Sequence, residues 1–202
     1  VLLHGVGLRA EAWSPVMDRL CARFQVTAPD MAGHGESPVA REMTGLRDYT
    51  NAILPLLSGP SVLVGHSMGA MIALDLALRA QDRVTSVVAL NAVFERDAAA
   101  SAAVQARAKK LDGRSIAAPD ATLGRWFGTD ETDERRACRD WLTTVDPASY
   151  KAAYTVFATE NGPDRQALCT MACPALFMTG AMEPNSTPAM SRAMASLAPK
   201  GE

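Results

Sequence analysis

A serine held between two glycines, directly behind a short apolar run, constrains this chain more than any other stretch. Ser61–Val64 reads as a buried strand, and Gly65-His66-Ser67-Met68-Gly69 follows it without a gap. From Ser67 to Ala80 the residues are mostly apolar, which predicts a helix buried on most of its surface. A strand that passes so abruptly into a helix brings neighbouring backbone close to the turn. Small residues are then needed two before and two after the serine, and both positions are glycine, Gly65 and Gly69. The turn forces Ser67 into a strained backbone conformation, with its hydroxyl at the C-terminal edge of a sheet and above the positive end of the helix. That setting presents a serine as a nucleophile. The plainer alternative is an ordinary strand–helix turn in which Ser67 is an N-cap.

The rest of the chain alternates in the same way. Val1–Leu3 reads as a strand running into the turn His4-Gly5-Val6-Gly7. Trp13, Val16, Met17 and Leu20 have helical spacing, with Ser14 as N-cap and Pro15 at the first helical position. Phe24–Ala28 reads as a second strand, closed by Pro29 and Asp30. A helix is expected over Leu46–Leu57, bent or ended near Pro55. Strands over Val84–Leu90 and Ala175–Met178 and a last helix over Pro188–Leu197 complete the series. The strands are near-continuous apolar runs rather than alternating ones. Strand–helix alternation with such runs predicts an α/β fold: a mostly parallel sheet covered by helices on both faces.

Residues 94–165 break this order, with helical Ala- and Arg-rich segments and no convincing strand. They read as a helical insertion over one edge of the sheet. They also hold seven of the 11 aromatics: Phe94, Trp126, Phe127, Trp141, Tyr150, Tyr154 and Phe157. Such an excess suits a lid that lines an apolar pocket, and it suits equally a small core within the insertion.

Composition excludes several function classes. With 202 residues and 48% hydrophobic content, one domain can bury a core without disulfides or metal. A net charge of −2 argues against a nucleic-acid partner. Polar residues interrupt every apolar run short of membrane-spanning length, and no signal-peptide pattern opens the chain. Cys21, Cys138, Cys169 and Cys173 form no C-x-x-C pair, which suits free thiols in a cytoplasmic protein. The three histidines and the cysteine spacing offer no zinc site, so neither metal nor cofactor is expected.

A second motif fits the serine turn. His4-Gly5-Val6-Gly7 can present the backbone N–H of Val6, and Met68 supplies another just after the serine. Two such donors make an oxyanion hole, with His4 and Gly5 as structural parts of the turn. Between these motifs lies Asp30-Met31-Ala32-Gly33-His34-Gly35-Glu36-Ser37. The three motifs, in this order, resemble the α/β-hydrolase superfamily with an inserted helical cap, and the resemblance spans nearly the whole chain. It implies a core of residues 1–93 and 166–202 and a cap over residues 94–165. It gives His34 a structural place in its loop, and it places the triad acid after the strand that follows the cap, where Glu183 stands. Asp is the usual residue there, and Glu is an accepted variant. Asp97 is a weaker alternative acid.

The triad order in this fold is Ser, acid, His. Only 19 residues follow Glu183, and none is His. The general base is therefore expected beyond Glu202, on a loop after one more strand. Val1 likewise opens where the resemblance implies two earlier strands, so the core is expected to be incomplete at both ends.

The resemblance implies a serine hydrolase cleaving a small carboxylic ester, lactone or related acyl bond. C–C bond hydrolysis, cofactor-free perhydrolysis and, without a base, a binding protein of the same fold are the alternatives. Asp146–Tyr150 loosely resembles the enol-lactonase branch. His66, Trp126, Phe127 and Tyr154 are candidates for the pocket wall. Arg125 and Arg139 are candidates to bind a substrate carboxylate or are plain surface residues. A small-molecule substrate is the expected partner, and the oligomeric state is open.

Overall fold

A computed structural model of the chain describes residues 1–39, 43–115 and 118–202. Four parallel strands make one sheet in the order β1-β2-β3-β4: Leu2–Leu3, Ser61–His66, Val84–Leu90 and Ala175–Met178. The register sets Leu3 beside Gly65, Gly65 beside Ala89, and Leu90 beside Met178. The C-terminal ends of all four strands therefore meet at one edge, where ligands bind in open α/β sheets.

α1 (Ser14–Cys21) and α2 (Leu46–Ile53) lie between β1 and β2, and α3 (Met68–Arg79) joins β2 to β3. α3 is packed along both of these strands and against α2. Leu63, Val87, Ala89, Ile72, Leu74 and Leu76 are all under 2% exposed, which makes this contact the centre of the core. On the other face, Leu20 of α1 shares a groove with Val62 and Val64. Among the described residues no helix is long and apolar enough to cross a membrane.

Between β3 and β4 run α4 (Ala98–Lys109), α5 (Asp120–Phe127), α6 (Asp133–Thr144), α7 (Pro147–Thr159) and α8 (Arg165–Cys169). The expected insertion over 94–165 contains residues 116 and 117, which lie outside the described residues. Side-chain caps set the helix starts: Asp97, Thr132, Asp146 and Asp164 each accept from an amide in the first turn that follows. Buried guanidiniums close two helix ends. Arg135 donates to the carbonyls of Leu123 and Gly128, at 3.2 and 2.9 Å. Arg96 donates to Glu160 O at 2.6 Å and sits 4.7 Å from the centre of the Phe157 ring. α9 (Pro188–Leu197), capped by Thr187, packs on β4, and residues 200–202 run beside β4 through Ala175 and Phe177.

Two expectations change. Phe24–Ala28 is not a strand. The Leu2 amide donates to Thr27 O at 2.8 Å, but no ladder follows, and Phe24 is 59% exposed. β1 is only two residues long and offers little to pair with, and Pro29 lacks an N–H. The first helix also begins differently. A 3₁₀ turn over Ala10–Trp13 precedes it, so Ser14 is already helical and caps nothing. As expected from Pro55, α2 stops at Ile53 and gives way to a 3₁₀ turn over Leu54–Leu56.

Candidate active site

Ser67 joins β2 to α3 at φ 55° and ψ −118°, a conformation costly for any residue with a side chain. Its amide donates to Leu90 O at 2.8 Å, which ties the turn to the end of β3. Its side chain makes no cap bond to α3, so the hydroxyl is not used as an N-cap.

The glycines are required by close approach. A Cβ on Gly65 would strike the carbonyl of Gly69 and lie 2.5 Å from the amide of Ala70. A Cβ on Gly69 would run into Leu3 O and come within 2.6 Å of His4 O. α3 thus begins in direct contact with the end of β1, which brings the His4–Gly7 turn to Ser67. A Cβ on Gly5 would lie 3.2 Å from Ser67 Cβ. Neither the Val6 amide nor the Met68 amide donates to another group of the protein among the described residues. Both are left open beside Ser67.

His4 and Asp30 build the support beneath this turn. Met31 N donates to His4 Nε2 at 2.9 Å, and His4 Nδ1 donates to Gly5 O at 2.8 Å. Burial, with the nearby His34, holds the His4 pKa down to about 4. Asp30 accepts from Ala10 N at 2.7 Å and from Glu36 N at 3.0 Å, and its carboxylate fills the space where a Cβ on Gly35 would be. His34 is buried with Nδ1 3.2 Å from Ala32 O, away from the cavity, and burial lowers its pKa too.

Above Ser67 lies a cavity of about 110 Å³. Its wall contains Gly5, Val6, His66 and Ser67 from the sheet edge, Asn91 after β3, and Glu183 and Asn185 after β4. The roof is Arg107, Arg125, Trp126, Tyr150, Tyr154 and Phe157. Tyr150 and Tyr154 stack with ring centres 5.9 Å apart, and burial pushes the Tyr150 pKa up to about 12. Burial lowers the His66 pKa, against the opposing pull of Glu183. Glu183 stands on a loop closed by Thr179 Oγ1 donating to Ser186 O at 2.6 Å. Its Oε1 accepts from Asn185 N at 2.8 Å and from Asn185 Nδ2 at 3.1 Å.

The structure thus brings Ser67, Glu183, Val6, His66, Trp126 and Tyr154 to one cavity. Three candidates fall elsewhere. Phe127 packs with Leu123, Cys138 and Leu142 in a separate cluster, because it lies on the inner side of α5. Asp97 caps α4, accepting from Ala100 N at 2.7 Å. Arg139 pairs with Asp120 at 2.7 Å. Trp126, Tyr150, Tyr154 and Phe157 line the cavity, while Phe127 and Trp141 pack against the cluster among α5 and α6, which Tyr150 also touches. Asn91, Arg107 and Asn185 were not singled out from the sequence. Only Asn91 left a trace there, as the polar residue that ends the apolar run of β3.

Comparison with known proteins agrees with this geometry. A family model described as the alpha/beta hydrolase family matches residues 1–201. The (E)-2-((N-methylformamido)methylene)succinate hydrolase of Acinetobacter baylyi is 36% identical over 207 aligned positions, which cover 100% of this chain and 78% of that protein. A pimeloyl-[acyl-carrier protein] methyl ester esterase of Aromatoleum aromaticum is 41% identical over 91 residues, 45% of this chain and 36% of that one. Among solved structures, the enol-lactonase from Burkholderia xenovorans LB400 shares the fold at a TM-score of 0.85, with 24% identity over 98% of this chain and 78% of that one. With one family model over almost its whole length and a relative 36% identical along all of it, this chain belongs to the alpha/beta hydrolase family and is an enzyme of that fold.

Proposed function

We propose that the chain is a serine hydrolase of small acyl compounds, with Ser67 as nucleophile and the helices within residues 94–165 as a cap over it. The observation that carries this reading is the backbone of Ser67. Its φ of 55° holds a hydroxyl that caps nothing at the floor of a cavity. Strain of this kind persists where the surrounding structure over-determines it, and here the backbone packs so closely about Gly65 and Gly69 that neither has room for a Cβ.

The chemistry follows from the groups around it. Ser67 Oγ attacks the carbonyl carbon of the substrate, and its proton passes to an imidazole. The carbonyl oxygen becomes an oxyanion that takes hydrogen bonds from the open amides of Val6 and Met68. Glu183 accepts the other imidazole N–H, which fixes the tautomer and stabilises the imidazolium. Collapse releases the leaving group with that proton, and water attacking the acyl-enzyme restores Ser67. His4 does not supply this imidazole, since both its nitrogens are engaged below the turn. In the order of motifs of this fold the imidazole comes after the acid in the chain.

Esters and lactones are the bonds the motifs suggest. The A. baylyi relative is named for a formamido-substituted succinate, which adds the acyl–nitrogen bond to the set. The test is Ser67→Ala, made in protein that carries the imidazole and assayed on esters, lactones and N-acyl compounds. Turnover is expected to vanish while circular dichroism is retained, and a fluorophosphonate should label the unsubstituted chain at Ser67 alone. Hydrolysis that survives Ser67→Ala overturns the reading.

A further inference from the structure

The charged residues of the cavity wall are Arg107, Arg125 and Glu183. Neither arginine has a carboxylate within ion-pair distance among the described residues. Arg107 Nε donates to Tyr154 Oη at 3.1 Å, and its Nη2 donates to Asn185 Oδ1 at 3.3 Å. Among the described residues Arg125 donates only to Thr122 Oγ1, at 3.3 Å. Other arginines of the insertion are neutralised: Arg135 by Glu131, Arg136 by Asp133 and Arg139 by Asp120. Glu183, the one acid among the described residues of the wall, is already held by Asn185 on its own loop.

From this contrast we infer that Arg107 and Arg125 form an anion subsite in the roof of the cavity. The substrate then carries a carboxylate remote from its reacting carbonyl. The inference rests on the serine hydrolase reading for what happens below the roof, and on the arginines for what is recognised above it. Guanidinium forks match carboxylate oxygens in pairs, and two unpaired cations facing one small cavity repel each other until an anion enters. Their neutral neighbours support this role. Tyr154 and Asn185 orient Arg107 without neutralising it, and Trp126, Tyr150 and Phe157 reduce the water that competes for it. A small monocarboxylic or dicarboxylic acid derivative fits, with its acyl carbon at Ser67 and its free carboxylate at the roof.

Two measurements separate this inference from the reading beneath it. Titration calorimetry of the 202-residue chain with succinate needs no turnover. Saturable binding is expected, weakened about tenfold or more by Arg107→Gln and by Arg125→Gln, with partial recovery in Arg107→Lys. Arg125 is exposed, so its variant tests the subsite without disturbing the core. No saturable binding, or binding that both glutamine variants leave unchanged, overturns the subsite. The second measurement, made on protein that carries the catalytic imidazole, compares kcat/KM for 4-nitrophenyl hemisuccinate and 4-nitrophenyl acetate. The ratio is expected to favour the hemisuccinate and to fall about tenfold or more in Arg107→Gln. Succinate binding through the two arginines with neither ester cleaved leaves the subsite standing and overturns the hydrolase reading. Cleavage of both esters through Ser67 at one ratio in all variants overturns the subsite and leaves the hydrolase reading standing.

Discussion

The amide of Met31 reaches Nε2 of His4 across 2.9 Å, and this contact fixes the imidazole as its neutral Nδ1–H tautomer. A nitrogen that accepts a hydrogen bond carries no proton, and Nδ1 spends its proton on Gly5 O. The pair joins the end of β1 to the loop that follows Asp30.

A pH dependence of stability follows. Burial lowers the His4 pKa from 6.5 to about 4 in the folded chain. Between those values the unfolded chain binds more protons than the folded one, so stability falls as pH falls through that window. The loss approaches about 3 kcal/mol at the acid end, since each pH step between the two values contributes about 1.4 kcal/mol. His34 and His66, also lowered by burial, act in the same direction. Urea unfolding between about pH 7.5 and about pH 4.5 should show a midpoint that declines with acidification. A constant midpoint over that range would contradict the neutral His4.

Strain at Ser67 predicts an opposition between stability and activity. Glycine adopts φ 55° without steric cost, whereas a serine there costs about 1–3 kcal/mol. Part of that relief is offset by the greater freedom of glycine in the unfolded chain. Ser67→Gly is expected to stabilise the protein by about 1 kcal/mol, or about 2–4 °C in Tm, while removing hydrolysis. Thermal unfolding of Ser67→Gly beside Ser67→Ala checks this, because alanine keeps the Cβ and gains nothing from the backbone.

Elements bounded by local chemistry were legible before folding. β3 and β4 are apolar runs with breaks on both sides, and α9 starts at Thr187-Pro188. The serine turn was legible because steric crowding dictates its glycines. Phe24–Ala28 failed because pairing is a property of the neighbour, and β1 is too short to supply it. The cavity roof was only half legible. Phe127 and Phe157 look alike in sequence, and the rotation of α5 and α7 decides which one meets the cavity. Arg107 and Asn185 lie 78 positions apart, and only the fold-over of α4 makes them neighbours.

Two glycine substitutions of opposite sign test the crowding at the turn. In Gly65→Ala the new Cβ meets backbone of Gly69 and Ala70, which cannot rotate away as a side chain would. The expected cost is about 3 kcal/mol, the upper end for overpacking. In Gly124→Ala, within α5, the new Cβ meets nothing within 4 Å. That change should stabilise the protein by about 0.5–1 kcal/mol through helix propensity alone. Denaturant midpoints of the two variants should move in opposite directions.

Asn185 links the acid to the roof, and its loss should separate catalysis from folding. Its side chain donates to Glu183 Oε1 at 3.1 Å and accepts from Arg107 at 3.3 Å, while its amide bond to Glu183 belongs to the backbone and survives mutation. Asn185→Ala frees Glu183 to turn and removes two exposed charge-assisted hydrogen bonds, one to the Glu183 carboxylate and one from the Arg107 guanidinium. If Glu183 orients the imidazole, kcat should fall about tenfold, because misaligned groups lose transition-state stabilisation. Asn185 is exposed, so Tm should stay within about 2 °C. Asn185→Asp should cost more, since a second carboxylate beside Glu183 repels it and pairs instead with Arg107. A Tm that drops while kcat holds would make Asn185 a brace for the 179–187 loop and remove Glu183 from the reaction.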